Sequence, residues 1–282
     1  MPKKKTPLTH RKILPPKSDV VFKMLFGDKR NKDILIDFLK AILNLSEDEY
    51  EHIYLEDTHL KREVPDDKLG IVDVKLTTKT GKIIHIEMQI LEQEDMPERI
   101  TYYNSKMLVT QLKSGDDYTL QKTISIAIAD FEIVQDSPKY HHKFQLNETE
   151  TGIKFTDVIE INTLELQKIP EKSDRTAKYD WVKFLKSERE EEFDMIAERS
   201  PVIKKAVVEL KRLSQDEEAQ RLYEAREKAI RDENSRMKTA YNKGTMNEKI
   251  EIAKKLIDVL DVETIAIKTG LPIEYVNQLT EQ

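Results

Sequence analysis

Gly70-Ile71-Val72-Asp73-Val74-Lys75-Leu76-Thr77, followed after a short connection by Lys82-Ile83-Ile84-His85-Ile86-Glu87-Met88-Gln89-Ile90, decides the fold of this chain. Both halves alternate with period two, the pattern of a strand with one apolar face. In the first half Val72, Val74 and Leu76 share a face, opposite Asp73, Lys75 and Thr77. In the second, Ile84, Ile86, Met88 and Ile90 stand opposite His85, Glu87 and Gln89. The connection, Thr78-Lys79-Thr80-Gly81, ends in a glycine able to take a positive φ in a turn. The stretch predicts a β-hairpin.

Register gives the hairpin its chemistry. For both apolar faces to enter one core, opposed residues must have numbers summing to an even value. Asp73 opposite Glu87 and Lys75 opposite His85 satisfy that, with a longer or bulged turn around Thr80. Asp73, Lys75, Glu87 and Gln89 then form one polar patch. Neighbouring carboxylates repel, and a divalent cation bound between them relieves the repulsion. Mg²⁺ suits such carboxylate, carbonyl and water oxygens. A plain surface strand with a solvated charged face has the same spacing, so the pattern alone leaves both readings open.

Asp73, thirteen intervening residues and then Glu87-Met88-Gln89 resemble the D…(E/D)-x-K core of the PD-(D/E)XK nuclease superfamily. The opening Ser18-Asp19-Val20-Val21-Phe22-Lys23-Met24-Leu25-Phe26-Gly27 is similar to that of the Rpn family of recombination-promoting nucleases, also described as transposases. In that family the opening reads roughly D-x-x-F-K-x-L-F-G, and the core strand often ends E-x-Q. The resemblance runs over roughly residues 15 to 280. It implies an α/β fold with a restriction-endonuclease-like αβββαβ core, a mixed central sheet flanked by helices, and an all-helical C-terminal region.

The resemblance also implies a Mg²⁺-dependent DNA endonuclease associated with recombination or mobile elements, with Mn²⁺ as a substitute ion. Asp73 and Glu87 would hold the metal, with the Met88 backbone carbonyl and an approach from Asp19 of the first helix. Gln89 stands where the superfamily has lysine. It can hydrogen-bond a water but cannot act as a base. Lys75 on the neighbouring strand is the candidate to take over that role, the metal alone being the other. The alternative is a weakly active or inactive nuclease scaffold acting as a DNA- or protein-binding module.

The 282 residues carry a net charge of −6, with 38% hydrophobic and 35% charged residues. That balance excludes a generally basic nucleic-acid coat, so DNA contact must come from a local patch. The absence of cysteine excludes disulfides, zinc–thiolate sites and thiol catalysis. No apolar run of about 18 residues is present, so no membrane partner is expected. Lys3-Lys4-Lys5 is followed by no apolar h-region, and a cytoplasmic location is expected.

Residues 1–17 read as a basic flexible arm and 18–168 as the nuclease-like domain. Residues 169–282 read as a helical region, a candidate for self-association. Ser18 stands at a helix N-cap, and a second helix covers 31–43. A first strand covers 51–64, with Asp66 and Asp67 in the turn that follows it. Asp95 and Pro97 open a helix whose apolar face is Ile100, Tyr103, Met107 and Leu108. Arg99, Tyr102 and Lys106 recur along it as candidate substrate contacts, or as ordinary surface residues. Further strands cover 121–130, 144–146 and 154–166, and His141-His142 reads as a solvated loop pair.

Residues 215–238 form a charged helix with a thin apolar stripe. At 261–279 the chain resembles a helix-turn-helix, with Ala266 at the helix crossing and Gly270 in the turn. Its second helix carries Glu274 and no Lys or Arg, so packing competes with DNA reading as its role.

Overall fold

A computed structural model describes residues 12–56 and 73–280. The first residues of the basic arm, the expected strand beyond Glu56, and Asp66 and Asp67 lie outside the described residues.

In chain order the elements are α1 (Asp19–Phe26), α2 (Lys32–Ile42), α3 (Glu47–Glu51), β1 (Tyr54–Leu55), β2 (Val74–Thr77), β3 (Ile83–Gln89), α4 (Met96–Val109), β4 (Thr123–Ala129), β5 (His141–Asn147) and β6 (Lys154–Glu165). Helices α5 (Ala177–Lys186), α6 (Glu190–Ala197), α7 (Pro201–Leu213), α8 (Glu217–Leu256), α9 (Val262–Thr269) and α10 (Ile273–Thr280) follow. The six strands form one mixed sheet in the order β1-β2-β3-β4-β6-β5. Pairing is antiparallel from β1 to β3, parallel across β3, β4 and β6, and antiparallel for β5. The parallel step from β3 to β4 requires a crossover, which α4 supplies. With α2 and α3 inserted after α1, this is the expected αβββαβ core.

The hairpin has the expected register: Lys75 pairs with His85 and Val74 with Ile86. Its turn closes through Thr78 N–H to Lys82 O at 2.9 Å, with Gly81 at φ 90°. Buried Glu49 of α3 pins the turn. Its carboxylate accepts from Thr78 Oγ1 at 2.6 Å and Thr80 Oγ1 at 2.7 Å, and pairs with Lys82.

One face of the sheet is the main core. Ile84, Ile86, Met88, Ile124, Ile126 and Ile128 pack there against α1, α2 and α5. Trp181 of α5 meets Phe26, Phe38 and Phe184 at ring distances of 5.7, 5.9 and 5.6 Å, and its indole N–H donates to Asp37 at 2.9 Å. The other face lies under α4, where Ala127 and Ala129 admit Met96 and Ile100. Strand β3 is therefore buried on both faces, not half-solvated as its alternation suggested.

Other departures have local causes. Ser18 occupies the N-cap, but its buried hydroxyl caps nothing. Residues 13–17 are packed: Leu14 is buried and Lys17 pairs with Asp130 at 2.9 Å and Glu188 at 2.8 Å. His141 and His142 open β5, where Asn162 and Ser137 bond them.

The chain divides into two units, residues 1–223 and 224–282. Helices α5–α7 belong to the first, so the change of composition at Ile169 marks the end of the strands within one packed unit. The apolar stripe of α8 packs at Ala219 and Tyr223 but is largely exposed from Ala225 onward. The second unit has its own small core of Ala253, Ile265, Leu271 and Val276, with Gly270 left-handed between α9 and α10. Ile265, not Ala266, takes the buried crossing position. Among the described residues no helix is long and apolar enough to cross a membrane.

Trp181→Ala empties the centre of the aromatic cluster and leaves Asp37 without its donor. It should destabilise the protein by about 3–5 kcal/mol in urea denaturation; a loss below about 1 kcal/mol would mean the cluster is peripheral.

Candidate active site

Asp73 stands at the bend before β2, where the ladder to β3 ends. Its N–H donates to Ile86 O at 3.2 Å, and its Oδ2 accepts the Met88 N–H at 2.6 Å. The side chain thus stands in for the next strand residue. Because the N–H and C=O of a strand residue project to the same edge, the Met88 carbonyl faces that side too.

Glu87 lies on the α4 face of β3 and is almost fully buried. Arg99 Nη2 donates to its Oε1 at 2.5 Å, while Oε2 is buried with no hydrogen-bond partner. Arg99 is held in turn by Gln93 Oε1, 2.9 Å from Nη1, and by the Tyr103 ring, 5.6 Å from its guanidinium carbon.

Burial sets the electrostatics. It pushes the Asp73 carboxyl up to about 7, the charges of Asp19 and Glu87 push the same way, and the Met88 N–H and Lys23 oppose them. Burial also raises Glu87, against the pull of Arg99. These acidic groups therefore interact, as the register implied. Burial drives His85, two residues before Glu87, down to about 3. It is neutral, with Nε2 on Ser125, whose hydroxyl also accepts from Asn104 Nδ2 at 2.6 Å. The exposed strand histidine expected from spacing is an interior one.

Other candidates are placed differently. The Gln89 amide donates to Leu91 O at 3.1 Å, and Lys75 Nζ pairs with Glu56 at 2.7 Å. Tyr102 and Lys106 lie along α4 beyond Arg99, with the ammonium 6.0 Å from the ring. Asp73 lines a cleft of about 720 Å³ within the first unit, with Lys23, Lys75, Arg30 and Arg212 balanced by Asp28, Glu56, Asp216 and Glu218; Glu87 and Arg99 are not among its lining residues. Lys23 was not assigned a role from sequence, although its place four residues after Asp19 puts both on one helix face. Gln93, Asn104 and Ser125 left no sequence signal.

Residues 16–240 match a family described as PD-(D/E)XK nuclease family transposase. The chain belongs to this family. No curated protein and no solved structure matches it significantly. Membership makes the protein nuclease- or transposase-like, and nucleases of the PD-(D/E)XK kind generally use divalent metals.

The residues of this PD-(D/E)XK family member fit such an ion. An unpartnered buried carboxylate oxygen on Glu87 and like charges crowding Asp73 are both relieved by a cation. Among the described residues no group of three or more acidic or histidine side chains forms a closed metal cage. An ion held by Asp73 and Glu87 would need backbone oxygen, water or substrate phosphate to complete its coordination.

The Asp73 shift fixes a stability profile. Its reference value is 3.8 and its folded value about 7, so between these the folded state holds the extra proton and stability falls as pH rises. Without divalent cations, Asp73→Asn should be more stable than the natural protein near pH 8, by on the order of a few kcal/mol. The advantage should vanish near pH 4. Denaturant titration at the two pH values checks this, and an equal advantage at both would contradict it.

Proposed function

We propose that the chain is a Mg²⁺-dependent DNA endonuclease, with Mn²⁺ able to substitute, acting in recombination or on mobile elements. The observation that carries this reading is the pair of carboxylates, half-buried Asp73 and buried Glu87, set beside each other by the register of one hairpin in a nuclease-family core. A divalent ion bound there supplies charge neutralisation at the scissile phosphate and lowers the pKa of a bound water. Asp73, Glu87 and the Met88 carbonyl hold the ion, and Asp19 adds negative charge beside Asp73. Gln89 orients water by hydrogen bonding once its amide leaves Leu91 O. Lys23 supplies positive charge beside Asp73, and Lys75 does so once it leaves Glu56. Arg99 contacts substrate phosphate, with Tyr102 and Lys106 flanking it.

The helical hairpin of the second unit, with Glu274 and no basic residue on α10, serves packing or self-association. Cleavage is assigned to the first unit, in the cytoplasm.

A second reading is favoured by one observation: Gln89 replaces the superfamily lysine and turns its amide to a backbone carbonyl. On that reading the scaffold binds DNA or protein and cleaves weakly or not at all.

Supercoiled plasmid with Mg²⁺ or Mn²⁺ separates the two. Nicking or linearisation that EDTA abolishes, and that falls at least about 100-fold in Asp73→Ala and Glu87→Ala, is the expected result. Cleavage that survives both substitutions would remove these residues from the site. No cleavage by a protein that still binds the plasmid would leave the binding reading.

A further inference from the structure

Four buried polar atoms without partners lie in the layer between α4 and the sheet: Glu87 Oε2, Arg99 Nε, His85 Nδ1 and Asn104 Oδ1. Two of them belong to a single ion pair that is only half made. A guanidinium and a carboxylate can join through two parallel hydrogen bonds. Here Arg99 reaches Glu87 through Nη2 alone, at 2.5 Å, leaving its Nε and the second carboxylate oxygen without partners. Nη1 is tethered to Gln93 Oε1 at 2.9 Å, and the Tyr103 ring lies 5.6 Å from the guanidinium carbon, so the guanidinium is held on three sides with one bond to the carboxylate.

An unmade buried donor or acceptor is costly, because it has given up water without gaining a partner. An ion pair that keeps one of each is suited to two further ligands of opposite charge. Oε2 suits a cation and Nε an anionic oxygen. The Arg99 side chain is 30% exposed and that of Glu87 only 6%, so Arg99 lies nearer the solvent edge.

We propose that Arg99 is an exchange cation: it neutralises Glu87 while no divalent ion is bound, and passes to a substrate backbone phosphate when one binds. The proposal rests on the nuclease reading. It follows that Arg99 competes with the metal for the charge of Glu87 in the free protein. A phosphate that takes Arg99 away then strengthens metal binding, and metal strengthens DNA binding by the same factor. Gln93 sets the balance by keeping Arg99 off Oε2.

The test is Mn²⁺ titration by calorimetry at about pH 8 without DNA, beside anisotropy of a phosphorothioate duplex in Mn²⁺. Arg99→Gln should bind Mn²⁺ about tenfold more tightly and the duplex about tenfold more weakly. Gln93→Ala should shift Mn²⁺ affinity the other way, because Arg99 can then close on both carboxylate oxygens. Opposite signs are not expected of a merely structural Arg99–Gln93 contact. Unchanged or weaker Mn²⁺ binding in folded Arg99→Gln overturns the proposal, as does unchanged duplex binding. If Arg99→Gln does not fold, tighter or unchanged Mn²⁺ binding in Gln93→Ala overturns it. Mn²⁺ binding that Glu87→Gln abolishes and Arg99→Gln leaves unaltered removes the exchange role alone. No Mn²⁺ binding by the natural protein overturns the nuclease reading as well.

Discussion

Two carboxylates, buried Glu87 and half-buried Asp73, stand at one end of a sheet whose central strands β3 and β4 are covered on both faces. Asp73 is pushed up to about 7 by burial and by the charges of Asp19 and Glu87, and Glu87 is raised by burial against Arg99. Much of the surrounding structure limits that penalty. Met88 gives Asp73 an N–H, Lys23 gives it a positive charge, and Arg99 gives Glu87 half of a salt bridge. None of these satisfies both groups completely, which is what the proposed cation would relieve.

The register of β2 on β3 carries this arrangement. A slip of one residue would turn Glu87 into the isoleucine core and Ile86 into the polar layer under α4. Two devices oppose such a slip. Glu49 gathers Thr78, Thr80 and Lys82 at the turn, and the apolar side chains of β2 and β3 enter the core around Phe26, Phe38 and Trp181. The faces of the sheet thus divide the labour. The aromatic face supplies rigidity, and the α4 face carries Glu87, His85, Ser125 and Asn104, a polar layer whose geometry that rigidity maintains.

The hairpin was legible because alternation, a glycine turn and parity of register are local rules that act on a few residues at a time. The pairing of Lys75 with His85, the position of β4 and the hairpin between α9 and α10 follow from such rules. What could not be read was which side a second layer would cover. Nothing in His85-Ile86-Glu87 says that α4 will close over it, so His85 and Glu87 looked solvated. Arg99 was visible as a residue at helical spacing, but its contact with Glu87 depends on the crossing of α4 over β3. Lys75 and Gln89 share the expected face, yet Glu56 and the Leu91 carbonyl engage them. Helices α5–α7 differ in composition from the strands yet complete the same core, which only tertiary packing reveals.

The most direct measurement is a crystal of the natural protein soaked in Mn²⁺ and examined for anomalous density. A peak within coordination distance of both Asp73 and Glu87, with the Met88 carbonyl on the same side, is the predicted result. A peak confined to other residues, or none at millimolar Mn²⁺, would contradict the shared cation site on which the functional reading depends.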